Sequence, residues 1–450
     1  MKRYEEIIKV IERRAKQGEL TAGSKLPSIR ALSQEFNCSR NTIIKAYQEL
    51  ESRHLIYTVP KSGYYLVGDY PLLHDDFNKG AKIDFFSAGP DRSGMPYQDF
   101  KHCLNQAIEL YKEDMFMYSE VQGLHSLRDT LARHLRDLQV FVPPGRIFVV
   151  SGSQQALHLL VKLPFPNGKT NICVEQPTHN SFIESLKLEK ATAYGIEVTS
   201  SGIDFDRLEH LFKQHEIKFF YITSRFHNPT GYSYSNSEKK RIVELAQKYD
   251  VYIVEDDYMG DLEFRLKQDP IFAHDPSGRV IYTKSFSKVL LPGLRLGLTV
   301  LPEAMKKHFS LAKYASDLHT PVLTQGALEI YLKSGMYDAH IKNMREIYKE
   351  KSAILQQACE DYLPSSVTYS RSLSGFYITI FLPASLKANQ LINDLSRENV
   401  FVGNAENMFL PEFKKDHILR LSVSHVEKEK IPAGVQKIAD GIRRLSCEKK

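Results

Sequence analysis

SFSKVLLPGLRLG, residues Ser285–Gly297, sets two cations, Lys288 and Arg295, in a run otherwise rich in leucine, with a Pro-Gly bend between them. A surface loop has no use for Leu290, Leu291, Leu294, Leu296 and Leu298 around that pair, and a core strand has no use for the charges. Taken alone, the stretch reads equally well as a strand end whose charges snorkel to solvent. The segments before it supply the context. From about residue 110 onward, helical stretches alternate with short apolar runs, the pattern of a largely parallel sheet. IFVV leads into Ser151-Gly152-Ser153-Gln154, ICV into Glu175-Gln176-Pro177-Thr178-His179, and FFYI toward Asn228-Pro229-Thr230-Gly231. YIV leads into Glu255-Asp256-Asp257-Tyr258, and VIYT into the opening stretch itself. Ligands of open α/β sheets gather at the carboxyl ends of strands, so these polar ends imply one shared site.

The residue types at those ends describe a ligand. Ser153, Ser285, Ser287, Arg295 and the Gly152 backbone at a helix start suit a phosphate dianion. Asp256 and Tyr258, two apart at a strand end, face one side. There a carboxylate keeps a pyridine nitrogen protonated and a phenol donates to a ring oxygen. Lys288 beside them is an amine able to form a Schiff base. Phosphate, aromatic nitrogen, phenolate and aldehyde together describe pyridoxal 5'-phosphate. Each element is weak alone: an Asp-Asp pair is commonly a turn, and Asn-Pro-Thr-Gly is one as well. Their order along the chain is what carries the reading.

The 450 residues suit one large α/β unit with smaller units attached, and 42% hydrophobic with 25% charged residues supports a folded core. Neither a signal-peptide core nor a membrane-length apolar run is present in the sequence, and five scattered cysteines lack any CxxC spacing. The expectation is a cytoplasmic protein with no membrane association, no disulfides and no metal site. The formal charge of +6 is unevenly spread. Residues 1–68 hold 12 Lys+Arg against 7 Asp+Glu, so nearly all the excess lies there, as expected of a small basic module facing an anionic polymer.

That opening segment reads as three helices and a hairpin. Ile7, Ile8, Ile11 and Ala15 make one helical face, with Gly18 near its end; Pro27 marks a second helix carrying Leu32 and Phe36. After Asn37-Cys38, Ser39 is an N-cap for a third helix with Ile43, Ala46, Tyr47 and Leu50 at helical spacing. LIYTV and YYLV form a wing around Pro60-Lys61-Ser62-Gly63. Three helices and a basic-tipped hairpin make a winged helix-turn-helix that binds double-stranded DNA. Ser39, Arg40, Asn41 and Thr42 stand at the start of its recognition helix, Arg30 and Lys45 are placed for phosphates, and Lys61 to Gly63 form the wing tip. LPSIRALSQEFNCSRNTIIKAYQELESRHLIYTVPKSGYYLV resembles the DNA-binding domain of the GntR family of bacterial regulators. The resemblance covers residues 1–68. Residues 69–84 mix Gly, Pro and acidic residues without period and read as a linker.

Residues 85–450 resemble the fold-type I, class I aminotransferases, with a large part to about 335 and a small α+β part from about 336. The resemblance implies that Lys288, rather than nearby Lys284, carries pyridoxal 5'-phosphate, and that Asp256 pairs with the ring nitrogen. It further implies that Asn228 and Tyr258 hold the ring hydroxyl, and that Gly152, Ser153, Gln154, Ser285, Ser287 and Arg295 hold the phosphate. Arg420, in HILRLSVSH, matches the arginine that clamps a ligand α-carboxylate, a bidentate task suited to guanidinium. Tyr118, in MYSEVQGLHSLR, matches the tyrosine that reaches the partner subunit's phosphate, which implies a homodimer. His179 departs from the family, which usually stacks a larger aromatic ring there, whereas Asn228 keeps the residue of true aminotransferases. A GntR-type head on such a body is similar to the MocR subfamily. The implied function is a transcriptional regulator that senses an amine or amino acid, or pyridoxal 5'-phosphate itself. The alternative is a working aminotransferase with an accessory DNA-binding head.

Overall fold

The computed structural model describes residues 3–16, 19–21, 23–53, 55–60, 62–67, 82–263, 268–370 and 377–447. Chain contacts divide into two compact units, Met1–Gly80 and Ala81–Lys450. Lys61, Gly18 and most of the segment read as a linker lie outside the described residues.

In the first unit, helices Arg3–Lys16, Ile29–Glu35 and Arg40–Ser52 are followed by strands β1 (Ile56–Val59) and β2 (Gly63–Leu66). Ile7, Ile8, Ile11, Leu32, Ile43, Ala46, Tyr47, Leu50 and Ile56 form its core. Helix starts follow sequence chemistry closely. Ser28 accepts from Ala31 N and Ser39 from Thr42 N, each quieting one of the first N–H groups that a helix leaves unpaired. Pro27 therefore precedes the cap rather than opening the helix.

The second unit is built on seven strands among the described residues: β4 (Ile147–Val150), β5 (Asn171–Gln176), β6 (Ala193–Glu197), β7 (Ile217–Ile222), β8 (Tyr252–Asp256), β9 (Val280–Ser285) and β10 (Gly297–Val300). Their order is β4-β10-β9-β8-β7-β5-β6. Only β10 runs against its neighbours, so β4 points the same way as β5 to β9. The carboxyl ends of β4, β5, β7, β8 and β9 consequently open on one edge. β7, β8 and β9 are buried throughout, as β-branched and aromatic runs covered on both faces must be.

Helix Met336–Tyr362 begins after Gly335, and beyond it β11 (Thr368–Tyr369), β12 (Tyr377–Phe381), β14 (Gly403–Asn404) and β15 (Ile418–Ser422) make a second sheet in the order β11-β12-β15-β14. Thr379 on β12 stands opposite Arg420 on β15. Ile83 and Asp84, read above as the end of a linker, instead form a strand, β3 (Ile83–Asp84), paired with β13 (Val400–Phe401). Two residues are too few to show a strand period, and the edge they join lies more than 300 residues away. No described helix is long and apolar enough to cross a membrane.

Candidate functional site

The strand ends meet around a cavity of about 270 Å3 lined by Ser153, Gln154, Ser181, His179, Thr223, Asn228, Asp256, Tyr258, Ser285, Ser287, Lys288 and Arg295. All but Ser181 and Thr223 had been singled out from the sequence. Those two carry no motif. Ser181 lies in the first turn of helix Asn180–Leu188 and Thr223 just past β7, so only the fold brings them in.

One part of the cavity is an anion cradle. Gly152, at φ +82, caps helix Ser153–Lys162, and a Cβ there would stand 2.5 Å from Arg295 Nη2. Only glycine lets the guanidinium lie so close to that helix start. Arg295 is itself left-handed, at φ +50 and ψ 53, a conformation costing roughly 1–2 kcal/mol for a residue with a side chain. Its Nη1 donates to Ser287 Oγ at 3.3 Å. A helix N-terminus, three serine hydroxyls and a guanidinium together attract a dianion.

A second part is acidic and unsatisfied. Asp256 accepts the Tyr221 hydroxyl on Oδ2 at 2.8 Å, while Oδ1 is buried without a partner. Burial pushes this carboxyl up to about 7; Asp257 and Glu255 add to the rise, and Tyr221 and Lys288 oppose it. Asn228 Oδ1, Gln154 Oε1 and His179 Nδ1 are also buried and unpaired. Gln154 Nε2 donates to Ser181 O at 2.9 Å, which turns its oxygen the other way. The Tyr258 hydroxyl donates to Phe226 O at 2.6 Å. Burial, with Lys288 and Arg420 charges behind it, drives the His179 imidazole down to about 4, so it is neutral at pH 7. An unpaired buried acceptor is costly, and several around one cavity describe a place built for a polar ligand with donors of its own.

Lys284, just before the opening stretch, and Lys288 within it lie four positions apart, and their surroundings are opposite. Lys284, on β9, is wholly buried in an ion pair with Asp261, whose other oxygen lies 3.4 Å from His134 Nε2. Burial alone would raise the Asp261 carboxyl, but Lys284 and His134 hold it below its ordinary range. Lys288 lines the cavity and donates to the Ala88 carbonyl at 2.5 Å.

Arg420 and Tyr118 are not among the cavity's lining residues. Arg420 Nη2 donates to Phe86 O at 2.9 Å, its Nε is buried without a partner, and its guanidinium carbon stands 5.5 Å from the Tyr377 ring centre. Tyr118 is 87% exposed, its ring edge-on to His319. In the first unit Arg30, Ser39, Arg40, Asn41 and Lys45 are exposed and Thr42 half-buried. Ser39 and Thr42 share a hydroxyl contact of 2.9 Å within the helix cap, and Lys45 Nζ lies 4.9 Å from the Tyr4 ring centre. Gly63 opens β2 at φ +130.

Comparison with known proteins matches residues 92–438 to the family of class I and II aminotransferases and residues 3–66 to the gntR family of bacterial regulatory proteins. The chain is 43% identical to the uncharacterized HTH-type transcriptional regulator YcxD of Bacillus subtilis, over 97% of this chain and 99% of that one. Among solved structures it resembles a kynurenine aminotransferase of Pyrococcus horikoshii, with TM-score 0.76 and 26% identity over 82% of this chain and 92% of that one. It also resembles the α-aminoadipate aminotransferase LysN of Thermus thermophilus, complexed with N-(5'-phosphopyridoxyl)-L-leucine. There the TM-score is 0.74 and the identity 27%, over 82% of this chain and 94% of that one.

Proposed function

Because this chain belongs to the class I and II aminotransferase family and joins that body to a GntR-family winged helix, we propose that it is a MocR-type transcriptional regulator whose body holds pyridoxal 5'-phosphate and senses an amine-bearing ligand. The observation that carries this reading is the set of buried, unpaired atoms on one cavity: Asp256 Oδ1, Asn228 Oδ1 and His179 Nδ1. They fit this cofactor in kind. Asp256 would accept from a protonated ring nitrogen, which would also return its raised carboxyl to the ionised form. Asn228 and Tyr258 would meet the ring hydroxyl, and the neutral His179 would lie against the ring. Gly152, Ser153, Ser285, Ser287 and Arg295, with Gln154 through its backbone N–H in the first turn of the helix, would hold the phosphate. When bound, the cofactor would supply an electrophilic carbonyl that takes an amine, and Lys288, which lines the cavity, would be the amine that holds it.

The ligand to be sensed is an amine or amino acid, its carboxylate answered by Arg420, or the cofactor itself. Tyr118, so exposed in one chain, would serve the cavity of a second, so the working unit is a homodimer with paired winged helices on one DNA site. Residues 69–84 would link head and body, and the cytoplasm is the compartment for such a regulator. On the DNA side Arg40 and Asn41 would read base edges or phosphates from the start of the third helix. Arg30, Lys45, Ser39 and Thr42 would support them, with Lys61 and Gly63 at the wing tip.

Borohydride reduction of the purified full chain, followed by peptide mapping, tests the body. A pyridoxyl mass is expected on the peptide bearing Lys288, and its appearance at Lys284 would overturn the assignment. Duplexes selected from a random library test the head. Binding should weaken steeply with salt, and Arg40→Ala should weaken it further while leaving the cofactor absorption unchanged. Sustained amino transfer to a keto acid would instead make the chain a working aminotransferase.

A further inference from the structure

The chain enters the second unit through Lys82 and β3, and the next residues, Phe85–Ala88, lie across both cations that a ligand would meet. Phe86 O accepts from Arg420 Nη2 at 2.9 Å, and Ala88 O accepts from Lys288 Nζ at 2.5 Å. The residues beside Phe86 are anchored. Phe85 is fully buried, its N–H donates to Phe401 O at 2.8 Å, and its carbonyl accepts from Ser422 N at 2.9 Å. The Ser87 carbonyl accepts from Ser424 Oγ at 3.1 Å. Between them the Phe86 side chain is 57% exposed, so moving it sacrifices little apolar burial.

One peptide unit therefore has two jobs. The Phe86–Ser87 peptide puts its carbonyl on Arg420 and its N–H on Asp84 Oδ1, at 2.9 Å. Asp84 also accepts from Phe86 N at 3.1 Å and Ser87 Oγ at 2.9 Å, and pairs with Lys82 at 3.4 Å. Burial would raise the Asp84 carboxyl, yet these hydrogen bonds and Lys82 hold it below its ordinary value.

Nε and Nη2 are the two donors of a guanidinium's side-on fork. Here Nε is buried with no partner among the described residues, and Nη2 is held by a neutral carbonyl. A carboxylate satisfies both with charge-assisted bonds, roughly twice as strong as neutral ones, so it takes Nη2 from Phe86. We infer that the Phe86–Ser87 peptide is a carboxylate-displaced latch. An amino acid docking its carboxylate on Arg420 turns this peptide, draws the Ser87 N–H off Asp84, and loosens the turn where the chain arrives from the DNA-binding unit. The inference rests on Arg420 as the ligand's carboxylate partner, the reading given under Proposed function. It adds a regulatory route that needs no movement of the sheet.

The test uses the full chain loaded with pyridoxal 5'-phosphate and two probes. They are 2-methylalanine, which has no α-hydrogen to lose, and its amide, which keeps the amine but not the carboxylate. Binding is read by absorbance, and hydrogen exchange is read at the amides of Phe86 and Ser87. Saturation with the acid should speed exchange at Ser87 by about tenfold, and the amide should not. Asp84→Ala should show fast exchange without any probe and bind the acid about five- to tenfold more tightly, because the latch no longer opposes it. A merely structural Asp84 would give the opposite sign, weaker binding. Ser87→Ala, which loses only the hydroxyl contact, should tighten binding about twofold with the fold intact. Unchanged Ser87 exchange at saturation, or weaker acid binding in both variants, overturns the latch. Should Arg420→Ala keep the preference for acid over amide, the carboxylate assignment itself has failed, and the latch falls with it. If Arg420→Ala abolishes that preference while Ser87 stays silent, the assignment stands and the latch alone is wrong.

Discussion

Arg40 and Asn41 of the DNA-binding unit sit within one turn of the Ser39 cap that orients them, whereas the cavity of the body gathers Ser153, Asn228, Asp256, Lys288 and Arg295 from positions spread over more than a hundred residues. In the first case position follows from a cap, a 3.6-residue period and a short turn, all local. In the second it follows from strand order: five carboxyl ends share an edge because β5, β7, β8 and β9 pair in parallel and β10 runs against both β4 and β9. Local construction is forgiving, since a disturbed cap frays one helix end. Construction across a sheet is cooperative, since each buried charge depends on partners that distant segments deliver.

The sharpest way to break this contrast is Lys284→Ala. Its removal leaves Asp261 as a buried charge facing His134 and Tyr337 but no lysine, and the body should lose about 3–5 kcal/mol in urea unfolding. Hydrogen exchange in helices 29–35 and 40–52 should not change. A loss under about 1 kcal/mol would mean that the body tolerates local damage as the small unit does.

His227 offers a smaller effect tied to pH. Burial lowers its folded pKa to about 4, partly offset by a hydrogen bond with Pro177, against an ordinary 6.5. The folded value is depressed, so the unfolded chain takes up the proton first as pH falls. The stability present above pH 6.5 is thus lost on the way to pH 4, by up to about 3 kcal/mol. His227→Gln should flatten that decline in the body's melting temperature, and an unaltered profile would remove His227 from the account.

Ser39→Ala should be the mildest, about 1 kcal/mol from one lost cap, read as faster exchange in the first turn of helix Arg40–Ser52. Cofactor absorption should be untouched. A loss several times larger would show the small unit to be as cooperative as the body.

Much of the cavity was legible because its residues follow apolar runs in a fixed order, and such runs announce strand ends whatever lies between them. What escaped is instructive. Tyr221, which donates to Asp256, lies within FFYI, where the run reads as apolar core and its hydroxyl carries no signal. Phe86 and Ala88 act through their carbonyls, which any residue possesses, so no side-chain pattern could mark them. Thr42, read only as facing DNA, also joins its hydroxyl to the Ser39 cap, a use equally consistent with its spacing.

The sequence by itself determined the two-part plan, the winged helix, the sheet and the polar ends that surround one cavity. These rest on periodicity, capping and composition, which act between near neighbours in the chain. The resemblance already chose Lys288 over Lys284, but only the tertiary structure supplied the reason, because Lys284 is held by Asp261, which His134 also meets, both of them from elsewhere in the chain. Only it joined Ile83 and Asp84 to Val400 and Phe401, and set the Phe86 carbonyl against Arg420. Pairings of that kind depend on which surfaces meet once apolar faces are buried, and sequence spacing does not encode them.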